Sequence, residues 1–66
     1  QRLRRWRLET ARAQGVPPYV IFHDATLLAI AQARPCSRHA LDGLPGVGAA
    51  KLERYGDALL EVIGSA

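Results

Sequence analysis

The sequence predicts an all-α fold, a compact bundle of about five short helices, and three observations carry that prediction. Apolar side chains recur at helical spacing near both ends of the chain. Strong helix formers fill the middle, between capping residues and the prolines or glycines that end each run. The one run suited to a strand, Val20-Ile21-Phe22, has no second strand to pair with. Sixty-six residues make one small domain, near the lower size limit for folding without staples. A hydrophobic fraction of 48% belongs to a globular rather than a disordered chain. The single cysteine, Cys36, cannot close an internal disulfide, and no spacing here offers a zinc site. Helix packing must therefore supply the stability. No apolar run approaches the roughly 20 residues of a membrane span. The chain opens on Gln1, directly in helical pattern, and reads as a piece of a larger protein.

The first helix is expected over residues 2–14, ending at Gly15. Leu3, Trp6, Thr10 and Ala13 lie along one stripe, with Arg4, Leu8, Arg12, Arg5 and Glu9 opposite. Arg7 falls at the edge of the stripe, where its stem can cover Trp6 or its head can pair with a carboxylate. Pro17 and Pro18 hold the next stretch extended. Val20-Ile21-Phe22 then reads as one helical turn that plugs the core. Asp24 caps a helix through Ala33, whose buried face is Leu27, Ile30 and Ala31 with Leu28 nearby, and Pro35 closes it. Ser37 caps a short helix through Leu41, stopped by Gly43. A further helix runs from Ala49 to Tyr55, Gly56 suits a left-handed cap, and Asp57 starts a last helix through Ile63. Leu52, Tyr55, Leu59, Leu60 and Ile63 point inward.

The stretch Leu44-Pro45-Gly46-Val47-Gly48 ahead of Ala49-Ala50-Lys51-Leu52 carries the clearest chemical signal. Glycine permits a tight reversal through positive φ. The helix that follows begins with N–H groups that have no intrahelical partner, and these can hold a phosphate. A helix-hairpin-helix element grips nucleic-acid backbone in this way, through Gly46 and Gly48 here. The same string also suits a plain connector with Val47 as an apolar plug. Lys51 and Arg54, three residues apart, share a face just past the hairpin.

Net charge is +3, and its distribution is uneven. Residues 1–14 carry five arginines against one glutamate, a net of +4, whereas residues 15–66 carry four basic against five acidic side chains, a net of −1. Arg4, Arg5 and Arg12 suit phosphate in shape and charge, or form an ordinary solvated face. Tyr19, behind two prolines, can stack on an exposed base or pack its ring on the first helix. Catalysis has little support. His23 and His39 have no matching carboxylate or cysteine, and read as helix-start or surface residues. No cofactor or metal is expected.

Taken in order, Val16-Pro17-Pro18-Tyr19-Val20-Ile21-Phe22, Asp24-Ala25-Thr26-Leu27, Leu44-Pro45-Gly46-Val47-Gly48 and Lys51-Leu52-Glu53-Arg54-Tyr55-Gly56 closely resemble the HRDC domain, named for helicases and the C-terminal region of RNase D. The match runs from about Leu3 to Ile63 and looks most like bacterial RecQ-type helicases. The resemblance implies a five-helix bundle with a helix-hairpin-helix-like core and weak binding of single-stranded or partial-duplex DNA. It points to Tyr19 as the residue engaged by a single strand, with nearby basic residues, in a bacterial cytoplasmic, nucleoid-associated protein acting in DNA repair, recombination or replication. Family members often carry Ser or Asn where this chain has His23, and a Thr-x-x-Glu box where it has Cys36 and His39. Both caps are weaker here. Two alternatives stand beside DNA binding: docking on the helicase core of the same chain or on another protein, which exposed Leu8 favours, and RNA binding in an RNase D-like exonuclease. A monomer is the default, with the Gly15–Pro18 hinge as the place where the first helix could exchange between chains.

Overall fold

Five helices form in a computed structural model of the chain, which describes residues 2–64: α1 (Arg2–Gln14), α2 (Pro18–Ile21), α3 (Asp24–Ala33), α4 (Arg38–Asp42) and α5 (Ala49–Gly64). No strand forms among the described residues, and no helix there is long and apolar enough to cross a membrane. α1 is the central element, packed against α2, α3 and α5, while α4 lies on α5. The core gathers Ala11, Ile21, Phe22, Leu27, Ile30, Leu41, Val47, Tyr55 and Leu59.

α1 stops where the sequence places its end. Gly15 takes φ +69°, and the Gly15 and Val16 amides donate back to the Arg12 and Ala11 carbonyls at 3.2 and 3.0 Å. This is a Schellman motif, with Val16 folded back against the core. Its inward stripe is rotated from the expected one. Ala11 is buried and Ala13 is exposed, because α2 and α5 pack on two sides of the helix. Leu3, Trp6, Arg7, Thr10, Ala11 and Gln14 face them, the broad stripe of a helix with two neighbours. Trp6 is half-buried and meets Tyr55 edge-on, centroids 5.7 Å apart, with Phe22 beside both rings.

The short turn begins two residues earlier than Val20. Pro17 is extended at φ −63°, ψ 151°, and Pro18 opens α2, where its missing N–H costs nothing. Ile21 and Phe22 plug the core, whereas Val20 stays exposed. α3 also departs from expectation. Its cap residue is His23, which makes no side-chain cap bond, and Asp24 is the first helical residue. Arg34, in the left-handed conformation, ends it by donating to the Ile30 carbonyl, just ahead of Pro35. Thr26, Leu27 and Ile30 are buried, while Leu28 and Ala31 face out. The face is turned toward Thr26 because that residue packs beneath the glycine hairpin. Ser37 caps α4 as expected, accepting from the Ala40 amide at 3.1 Å.

The largest correction concerns residues 49–64, one continuous helix rather than two. Gly56 is helical and buried, and no positive φ marks it as a cap. It is small because the Arg38 guanidinium and Leu52 crowd it; a Cβ there would lie 3.4 and 3.2 Å from them. Leu52, Tyr55, Leu59, Leu60 and Ile63 keep one helical phase straight through it. That uninterrupted stripe outweighs the roughly 1 kcal/mol a glycine costs inside a helix.

Candidate nucleic-acid interface

A shallow groove of about 310 Å³ opens between α2, the start of α3, the glycine hairpin and Lys51. One wall is Tyr19, which retains 60% of its accessible surface despite its size. The proline pair fixes the backbone ahead of it, and Phe22, extended at φ −151°, carries its own ring inward. Gly46 also lines the groove. The Val47 amide donates to the Leu44 carbonyl at 3.2 Å, with Pro45 second and positive-φ Gly46 third in the turn, the arrangement of type II. A Cβ at Gly46 would fall on the Thr26 hydroxyl and 3.2 Å from its Cβ. Gly46 is thus required twice, for its φ of +83° and for the space. Gly48 is required for neither: its φ is not positive and a Cβ would meet nothing.

Lys51 lines the same groove. Its Nζ donates to the Val20 and Ile21 carbonyls at 2.6 and 2.7 Å, closing the end of α2, and sits over the Phe22 and Tyr55 rings at 5.5 and 5.7 Å. An ammonium has three donors, and these two carbonyls take two of them. Sequence periodicity places Lys51 on the face of Arg54, and both meet the Tyr55 ring, the Lys51 ammonium and the Arg54 guanidinium each 5.7 Å from its centroid. Arg54 is exposed, beside Ala49, Ala50 and Glu53.

Tyr19, Gly46 and Lys51 are therefore brought together, and the remaining basic residues are dispersed around them. Arg4, Arg5 and Arg12 are all exposed on α1. Arg4 lies by the start of α3, in a depression with Asp24 and Leu28. Arg7 is structural, as its position in the stripe suggests: it donates to the Phe22 carbonyl at 2.8 Å and pairs with Asp24 at 2.8 Å. The hydrogen bond and charge of Arg7 hold the Asp24 carboxyl below its ordinary range, with Arg4 and His23 adding to the effect. His23 is the groove residue that sequence reasoning set aside. Its ring lies nearly parallel to Tyr19, 24° apart at a centroid distance of 6.1 Å. The two are four residues apart, but they sit on different elements, so no helical period pairs them.

The HRDC domain family model matches residues 1–63. The chain belongs to the HRDC family. A solved structure described as D. radiodurans RecQ HRDC domain 3 superposes with a TM-score of 0.93 at 34% identity, covering 97% of this chain and 84% of that one. Among sequence relatives, the ATP-dependent DNA helicase UvrD2 of Mycobacterium tuberculosis is 51% identical over 61 residues, 92% of this chain and 9% of the helicase. The ATP-dependent DNA helicase RecQ of Haemophilus influenzae is 42% identical over 62 residues, 94% of this chain and 10% of the helicase. This HRDC domain thus spans about a tenth of the length of those relatives, and it is a non-catalytic module.

Proposed function

We propose that this HRDC domain is an accessory module of a bacterial ATP-dependent DNA helicase, binding single-stranded or partial-duplex DNA weakly and tuning substrate choice. The observation that carries the reading is the exposed Tyr19 ring in a groove that a glycine turn and a lysine also line. An aromatic face stacks on any unpaired base, and nearby cations follow the backbone. Arg4, Arg5, Arg12 and Arg54 supply the wider field for phosphates, and the amide-rich start of α5 after Gly48 offers a further contact. The relatives named above are DNA helicases, which favours a helicase over an RNase D-like nuclease as the parent. Such a parent acts in DNA repair, recombination or replication, in the cytoplasm and on the nucleoid.

The test is a titration of labelled oligothymidylate and of a blunt duplex at low and moderate salt. About three phosphate contacts give a log–log salt slope near −2 on a single strand, and Arg5→Ala and Arg12→Ala each flatten it by roughly 0.7. Absence of single-strand binding at low salt overturns the reading. The second reading, protein docking, is favoured by Leu8 and Leu28, large apolar residues 41% and 59% accessible on α1 and α3. Leu8→Arg would then abolish capture of the remainder of the parent helicase without touching DNA.

A further inference from the structure

Tyr19 and His23 come from α2 and from the cap of α3, yet their rings are stacked, with planes 24° apart. A centroid separation of 6.1 Å is within the range of aromatic pairs but too long for superposed rings. With planes 24° apart, the two rings present faces of similar orientation. Neither is drawn into the core: both residues are exposed, and the His23 side chain makes no cap bond to α3. Pro17 and Pro18 hold the backbone just ahead of Tyr19, so presenting that ring to a ligand loses little conformational freedom.

We propose that Tyr19 and His23 together form a two-ring platform for an unpaired nucleobase, with His23 a binding residue in its own right. The inference rests on the single-strand reading above and deepens it by assigning a second contact residue. The charged surroundings suit the phosphates on either side of a stacked base. Lys51 lines the same groove, Arg4 and Arg7 lie on the α1 side, and Asp24, the carboxylate beside His23, is already held by Arg7 at 2.8 Å. Local charge is therefore positive, complementary to a strand and not to another basic surface.

The experiment titrates labelled oligothymidylate with the wild-type chain and with His23→Ala, His23→Phe and Tyr19→Ala, each checked by thermal unfolding. His23 is exposed and its side chain caps nothing, so its variants keep the wild-type melting temperature. His23→Ala is expected to weaken binding about fivefold or more with an unchanged salt slope, because a lost stacking face releases no counterions. His23→Phe keeps the wild-type affinity. Wild-type affinity in His23→Ala beside a loss in Tyr19→Ala overturns the platform and leaves the Tyr19 reading intact. Equal loss in His23→Ala and His23→Phe overturns it too, by showing that the contact is a ring nitrogen rather than a ring face. No binding by the wild-type chain removes the single-strand reading, and the platform with it.

Discussion

Gly46→Ala is the sharpest test of how the hairpin is built. The substitution adds one methyl group at φ +83°, where an L side chain is strained by about 1–2 kcal/mol. The same methyl would collide with the Thr26 hydroxyl and lie 3.2 Å from Thr26 Cβ and Cγ2. Thr26 is buried at 8% accessibility, so it cannot swing away without opening the core, and overpacking of this kind costs about 1–3 kcal/mol. Reduced freedom of the unfolded chain returns about 0.4–1 kcal/mol. The expected net loss is about 1–4.5 kcal/mol, a large share of the roughly 3–10 kcal/mol available to a 66-residue domain. Gly48→Ala is the matched control, since no positive φ or close neighbour opposes a methyl there. It should be neutral or stabilising by up to about 1 kcal/mol. Urea unfolding followed by helix circular dichroism reads both, with an unchanged slope required for a pure stability effect. Equal midpoints for the two variants would refute the turn geometry and the packing of Thr26 beneath it.

Other perturbations probe other joints of the bundle. Trp6→Ala removes the ring shared by Phe22 and Tyr55 and should cost about 3 kcal/mol, with native Trp fluorescence blue-shifted from that of the unfolded chain. Lys51→Met keeps the apolar stem but leaves the Val20 and Ile21 carbonyls without their cation, so stability should fall by about 1–2 kcal/mol in the same urea assay. Asp24→Asn should lower the melting temperature at neutral pH. Because Arg7 lowers the Asp24 pKa in the folded chain, the ion pair's contribution is complete above the ordinary value of 3.8 and is lost as pH falls through the lowered one. The gap between wild type and variant should therefore close in acid, as thermal melts across that range would record.

The bundle itself was legible because most of its boundaries rest on local chemistry. Gly15 ends α1 by a backbone device that glycine performs best, and Ser37 caps α4 through its own hydroxyl. Positions decided by long-range packing were not. Ala11 and Ala13 are identical in composition, and only the placement of α2 and α5 buries the first. Gly56 looks like a helix stop in isolation, yet the apolar phase running from Leu52 through Tyr55 to Leu59, Leu60 and Ile63 was the signal of one helix. At the groove, Tyr19 was conspicuous as an aromatic behind two prolines. The commitment of Lys51 to the α2 carbonyls depends on contacts 30 and 31 residues away in sequence, beyond the reach of any periodicity. The Tyr19–His23 pair is equally invisible, because the turn between α2 and α3 sets it.

The most direct measurement of where a strand sits is an amide chemical-shift map of the labelled domain during titration with oligothymidylate. The account predicts that the largest changes fall on Tyr19, Val20, His23, Gly46 and Lys51, with smaller ones along the exposed arginines of α1. Changes centred on Leu8 and Leu28, with the groove amides unmoved, would contradict it.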